Sequence, residues 1–338
     1  MPVYPLNHKS MSGKMNARPA AIGIVGLGLM GSSIAASLLA FKHPVKAVAP
    51  LCGEKEAGYK RILEQLLLCE KFDMLSDPFE TYLALLTVSE DFDDLKDCEL
   101  VVECIVEDIS IKEVVFKKIA AVIPKDTIVA SNTSAIPISI LQKMVPDPQR
   151  FIGIHWAEPA FATRFLEIVC GNQTSEATAD AVIALALSWG KEPTVLKKDI
   201  RGFITNRLMY AVYREILHLV EKGDTSFANA DKCFRYDVGS WMTLMGIFRR
   251  MDYTGLRDCF TAYRNIFPLL SNSDDISPQM QTIADTRSRG ILNGKGFYSY
   301  TRDEAAQWSQ AFSVFNKDIF RLAANYPEHL SGEEGEHK

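Results

Sequence analysis

The stretch AIGIVGLGLMGSSIAASLLAF, residues 21–41, places Gly26, Gly28 and Gly31 between an apolar run and a segment of good helix formers. A strand that turns through G-x-G-x-x-G into a helix is the framework of a dinucleotide-binding turn. The first glycine permits the tight turn, the second lets a pyrophosphate approach the backbone, and the third lets the helix pack closely. The N–H groups at the start of the helix then point at the anion. In a chain with 20 glycines the motif alone is a weak signal, and its setting between strand and helix gives it weight. Gly26, Gly28 and Gly31, with Leu29 and Met30 between the last two, are the expected cofactor-binding residues. The alternative is a purely structural strand-to-helix turn.

Outward from this turn, short β-rich runs recur at 45–49, 99–106, 127–131, 151–155, 165–170 and 193–198. Between several of them lie segments with apolar residues at helical spacing, such as 111–123 and 176–190. Continuous apolar runs alternating with helices predict a mostly parallel sheet in an α/β domain. After about residue 200 the pattern turns helical, as in 203–223 and 303–326. The expected organisation is a polar extension over 1–18, a nucleotide-binding α/β domain over 19–200, an all-α domain over 201–326 and a polar tail over 327–338. Helical runs such as 203–223 and 241–251 carry more apolar surface than one small bundle buries, which predicts a homodimer through the second domain.

With 47% hydrophobic and 23% charged residues, the 338-residue chain has ordinary globular composition and room for two cores. A net charge of −5 without a basic stripe argues against nucleic acid as a partner. The seven cysteines occur singly, without zinc-type spacing, and read as buried reduced thiols of a cytoplasmic protein; no metal is expected. The N-terminal residues lack the apolar core of a signal peptide, and no run has the length of a membrane span. A soluble protein acting on a small molecule is the expectation.

Two features bear on chemistry. The end of the second strand, where a dinucleotide-binding domain offers an acid to the adenosine ribose, reads VKAVAP and ends in Pro50. NAD rather than NADP is still expected, because no arginine follows Pro50 before Arg61. His155 ends the strand FIGIH, at the edge where ligands of open α/β sheets collect, and Glu167 is an acid inside the apolar strand FLEIVC twelve residues on. A buried carboxylate needs a partner. Paired with His155 it would orient a general base, and a structural pair is the other reading. SNTSAI (131–136) offers hydroxyl and amide groups at another strand end, or a helix N-cap. Asn206 is either a cleft residue from the second domain or a surface amide, and His43 and His218 read as core or solvated histidines.

In order, the glycine turn, VVECIVEDISIK (101–112), ASNTS (130–134), GIHWAEP (153–159), FLEIV (165–169), GFITNR (202–207) and GKGFYSY (294–300) resemble the L-3-hydroxyacyl-CoA dehydrogenase family over about residues 20–300. The resemblance implies a Rossmann-type domain followed by a helical domain that commonly makes the dimer. It also implies NAD-linked interconversion of a 3-hydroxyacyl group, as a CoA thioester, with its 3-keto form, in fatty acid metabolism. By the same resemblance His155 is the general base, Glu167 its orienting carboxylate, and Ser134 and Asn206 the holders of the substrate oxygen. Glu107, Lys112 and Asn132 fall at positions lining the nicotinamide side.

The chain departs from the family's pattern at several points. Glu158-Pro159 replaces Asn-Pro after the histidine, adding a carboxyl beside the site. Arg201 stands before GFI where proline is usual, LMGIF (244–248) replaces Gly-Pro-Phe, and Ile291 and Leu292 replace polar or basic residues. The leucine-rich RILEQLLLCEKF (61–72) shows no evident match to the polar contacts that CoA receives in the family. These departures keep a small 3-hydroxy acid or a carrier-bound hydroxyacyl group open as the substrate. A non-catalytic dinucleotide-binding protein is the remaining alternative.

Overall fold

The structure is a computed structural model and describes residues 20–325. The expected extension over 1–18 and tail over 327–338, with His8, His329 and His337, lie outside the described residues. The chain divides between Asp199 and Ile200 into two compact units.

The first unit runs β1 (Ile22–Val25), α1 (Leu29–Ala40), β2 (Val45–Val48), α2 (Lys55–Lys71), α3 (Phe79–Leu83), β3 (Leu86–Ser89), β4 (Leu100–Glu103) and α4 (Ile109–Val122). It continues through β5 (Ile128–Ser131), α5 (Ile138–Leu141), β6 (Phe151–Trp156), β7 (Phe165–Cys170), α6 (Glu176–Ser188) and β8 (Glu192–Leu196). The eight strands form one sheet in the order β3-β2-β1-β4-β5-β6-β7-β8. Every neighbouring pair is parallel except β6 and β7, which run antiparallel. This is the Rossmann-type, mostly parallel sheet followed by helices that the sequence leads one to expect. Strand order reverses between β1 and β4, so their carboxyl ends open the crevice in which such folds bind ligands.

Local chemistry explains the elements. The runs of β1 and β4 are buried throughout, as strands covered on both faces require. Asp108 caps α4 by accepting from the N–H groups of Ser110 and Ile111, and Ser175 caps α6 through Thr178. Strand β3, LTVS, is an element that the sequence pattern does not predict: it is four residues long and half-buried, and carries no continuous apolar run. His43 is a core residue, its ring between the carbonyl of Ala20 and the hydroxyl of Ser188, and burial lowers its pKa. Of the seven free cysteines, Cys69 and Cys98 are buried, whereas Cys52 and Cys233 are exposed, a correction to the expectation of buried thiols.

The second unit contains α7 (Thr205–Glu221), α8 (Phe227–Cys233), a π-helical turn over Phe234–Val238, α9 (Gly239–Thr254), α10 (Leu256–Ile266), α11 (Pro278–Asp285) and α12 (Arg302–Asn325). Gly246, in the replaced LMGIF segment, adopts φ 71° and breaks the helical path of α9. Among the described residues of this unit only Phe203 and Ala230 are buried. Large apolar side chains stand exposed on its helices, among them Phe248, Tyr253 and Phe260.

Candidate active site

The glycine turn shows a separate geometric need at each position. Gly26 has φ +100°, and a Cβ there would press on the backbone of Cys104 just past β4. A Cβ on Gly31 would stand 1.8 Å from the carbonyl oxygen of Gly26, so the third glycine lets α1 start against the turn. At Gly28 a Cβ would meet nothing within 4 Å, which leaves open space in front of the first N–H groups of α1. That space, an uncapped helix start and no charged side chain in the first helical turn suit a pyrophosphate. Leu29 is exposed at this mouth and Met30 is half-buried. Arg61 of α2 donates from Nε to the carbonyl of Leu27 at 2.8 Å and braces the turn from outside.

The carboxyl ends of β4, β5 and β6 carry a continuous polar network. Glu103, the last residue of β4, is fully buried and accepts from Lys112 Nζ at 2.6 Å, Ser131 Oγ at 2.6 Å and the N–H of Ile105 at 2.7 Å. Lys112, buried on α4, reaches Glu107 Oε2 at 3.3 Å as well. Glu107 in turn accepts from Thr133 Oγ1 at 2.6 Å and from the N–H of Ser134 at 2.8 Å. Partial burial raises the Glu107 pKa, but the Thr133 hydroxyl, the Lys112 charge and the Ser134 amide outweigh it and hold the carboxyl below its ordinary value. Asn132 Oδ1 accepts from the N–H of Trp156 at 3.0 Å and ties β5's exit to β6.

SNTS is not a helix N-cap, since Pro137 caps α5; instead Thr133 Oγ1 closes its own turn by accepting from Ile136 N–H at 3.0 Å. Ser134 is exposed on that turn.

On the antiparallel pair β6–β7 the register sets His155 opposite Glu167. Their side chains meet, His155 Nδ1 to Glu167 Oε2, at 2.8 Å, with Glu167 fully buried and His155 13% exposed. An ionised carboxylate only accepts, so Nδ1 carries the proton and Nε2 holds the basic lone pair of the neutral ring. Phe165 packs its ring edge-on against the imidazole at 5.9 Å.

The first unit therefore gathers Gly26, Gly28, Gly31, Leu29, Met30, Glu107, Lys112, Asn132, Ser134, His155 and Glu167 at one edge of the sheet. Asn206 belongs to the second unit, as the second residue of α7. Sequence reasoning counted Ser131 and Thr133 only among the hydroxyls of SNTSAI, and it gave Glu103 no role of its own. An acid closing the apolar run ELVVE is the same signal that singled out Glu167, and it would have found Glu103.

Beside this edge Glu158 follows β6 by two residues. Its Oε2 is buried and has no hydrogen-bond partner. Burial pushes the carboxyl up to about 7, and a hydroxyl contact from Ser33 of α1 only partly opposes this. Lys191, buried under the 160–163 turn, donates to the carbonyls of Ala160 and Thr163, and burial lowers its pKa to about 7.

A glycine turn shaped for a pyrophosphate, with a carboxylate-held histidine on the same sheet edge, defines a nicotinamide-dependent oxidoreductase. Two family models cover most of the chain: 3-hydroxyacyl-CoA dehydrogenase, NAD binding domain, over residues 21–200, and 3-hydroxyacyl-CoA dehydrogenase, C-terminal domain, over residues 202–300. The chain belongs to the 3-hydroxyacyl-CoA dehydrogenase family, and its cofactor is NAD.

Among relatives, a 5-formyl-3-hydroxy-2-methylpyridine 4-carboxylate 5-dehydrogenase of Mesorhizobium japonicum is 33% identical over 287 residues, covering 84% of this chain and 91% of that protein. A solved structure of a dehydrogenase of that name, described as an NAD+ dependent dismutase, superposes with a TM-score of 0.83 at 29% identity, over 92% of this chain and 100% of that one. An (S)-3-hydroxybutyryl-CoA dehydrogenase from Ralstonia eutropha superposes with a TM-score of 0.69 at 26% identity, over 84% of this chain and 100% of that one.

Proposed function

We propose that this dehydrogenase oxidises a small, carboxylate-bearing hydroxy or formyl compound, with His155 as general base and Glu167 as its orienting carboxylate. The observation that carries the base assignment is the 2.8 Å contact between a fully buried Glu167 and His155 Nδ1, which directs the basic Nε2 away from the carboxylate. NAD, when bound, supplies the hydride acceptor. The remaining work falls to the chain. His155 takes the hydroxyl proton, and Glu167 favours the imidazolium that forms. Ser134 and Asn206 hold the substrate oxygen. A formyl group enters the same chemistry as its hydrate, which carries both a hydroxyl and a transferable hydrogen on one carbon.

On the cofactor side the glycine turn binds the pyrophosphate, and Glu107 and Asn132 line the nicotinamide side. Lys112, 1% exposed and bound to both Glu103 and Glu107, acts through the position of Glu107.

The substrate class rests on likeness. The relative named for a pyridine carboxylate matches along nearly its whole length, which supports a small carboxylate over a carrier-bound substrate. A second reading, a 3-hydroxyacyl-CoA thioester in fatty acid metabolism, is favoured by the match to both family domains. Steady-state rates on a panel of aromatic formyl and hydroxymethyl carboxylates, free 3-hydroxy acids and 3-hydroxyacyl-CoAs separate them. A kcat/KM at least tenfold higher for a small carboxylate is expected, and a preference for the thioesters would overturn the first reading.

The protein is also proposed to act as a homodimer in the cytoplasm. Supporting the dimer are helices α7, α9 and α10, which have no buried residue of their own and expose Phe248, Tyr253 and Phe260.

A further inference from the structure

Among the described residues, Glu158 is the titratable group at this edge of the sheet that has a buried, unsatisfied side-chain atom. Its Oε2 is buried without a hydrogen-bond partner, an arrangement that costs free energy unless something else completes it. Ser33, which contacts the carboxyl, is fully buried in the second turn of α1 and also accepts the N–H of Ala160 at 2.8 Å. The carboxyl thus stands between the helix whose start suits the pyrophosphate and the strand end that carries His155.

Few charges surround it. Helix α1 contributes none along LMGSSIAASLLA, β6 contributes His155, and β7 contributes Glu167, which is bound to that histidine. Near the 160–163 turn, Lys191 is held by two carbonyls, and Arg164 is paired with Glu192. Burial, opposed only by the Ser33 hydroxyl, holds the carboxyl at about 7, so at neutral pH it is poised between its two states. A cation brought against Oε2 would therefore change its state.

We propose that Glu158 is the carboxyl that faces the nicotinamide ring, ionised while the ring carries its positive charge and protonated once hydride transfer has removed it. The inference rests on the reading that the reacting ring lies against His155. Alcohol oxidation sends a hydride to the ring and one proton to His155. As the ring's charge disappears, Glu158 takes a proton from solvent and gives it up again by the time the next NAD+ is bound, so the hydride-transfer step on the enzyme releases less than one proton near neutral pH while the complete cycle releases one. NAD+ then binds more tightly as pH rises and NADH does not. An opposite charge at contact distance shifts a carboxyl by about one pKa unit or more, which is about tenfold in relative affinity.

The test uses the full-length His155→Gln protein, so that the imidazole charge does not enter, and titrates NAD+ and NADH by calorimetry from pH 5.5 to pH 8.5. The ratio of NADH to NAD+ affinity should fall about tenfold over that range, and adding Glu158→Gln should flatten it. A flat ratio with Glu158 present, or a fall that persists in Glu158→Gln, overturns the inference while leaving the role of His155 standing. Should Glu158→Gln not fold, infrared difference spectra of the His155→Gln protein decide: a protonated-carboxyl band with NADH and none with NAD+ supports the inference, and identical spectra overturn it. Loss of both nucleotides in His155→Gln would instead count against the reading on which the inference rests.

Discussion

Glu103 and Glu158 stand at the same edge of one sheet and are treated in opposite ways. Both oxygens of Glu103 are engaged, by the Lys112 ammonium, the Ser131 hydroxyl and the N–H of Ile105. Glu158 has a buried oxygen that nothing in the described chain satisfies. The first arrangement is complete without a ligand and locks the ends of β4 and β5 in place. The second is complete only when something else arrives. A buried charge that serves the fold is saturated by the fold, whereas one left short marks where the cofactor or substrate belongs.

The largest effect falls on the unfinished side. His155→Gln should lower turnover by about 10²–10⁴ with NAD+ affinity unchanged within twofold, because the pyrophosphate turn lies on another strand. Stopped-flow NADH formation alongside calorimetry checks both halves. Next comes the finished side. Glu103→Gln leaves the buried Lys112 with only the longer contact to Glu107 as an ion pair and should cost about 3 kcal/mol in urea unfolding, with Lys112→Met in the same chain recovering part of the loss. Unchanged stability would mean that Glu103 is no more saturated than Glu158.

The second unit tests whether incompleteness marks an interface as well as a site. Light scattering at micromolar concentration should give about twice 37.7 kDa, and Phe260→Asp should shift the population toward monomer. A monomeric parent protein would remove the dimer from the proposal.

The smallest effect is on stability near Glu158. Its folded pKa, near 7, lies above that of an unfolded glutamate, so the penalty for the buried carboxyl is absent below about pH 4 and grows until pH passes 7. Glu158→Gln should accordingly raise Tm at pH 8, by about 2 °C for this half-buried group, and leave it unchanged at pH 4.

Most of the first unit was legible because its signals are local. The glycine turn, the buried strands and the pairing of an acid in FLEIVC with the histidine of FIGIH all follow from short runs, and the β6–β7 register brings the last two together. Strand β3 was not legible: a half-buried edge strand of four residues has no apolar run to display. The Lys112–Glu103–Ser131 chain was not legible either, since its partners come from β4, α4 and β5 and only the strand order makes them neighbours. Glu158 stood out in sequence as a replacement. Its missing partner became visible only with Ser33 packed against it, 125 residues earlier in the chain.

The proposal that His155 and Glu167 act as one acid–base unit is tested most directly by a double-variant cycle on hydride transfer. His155→Gln, Glu167→Gln and the pair are each first shown to be folded and to bind NAD+, and single-turnover rates are then compared on one identified substrate. If Glu167 works through the imidazole, the pair should be no more than about threefold slower than the poorer single variant, because residues acting as a unit are not additive. Losses that multiply, or a His155→Gln rate within threefold of the parent, would contradict that coupling and leave the contact a structural one.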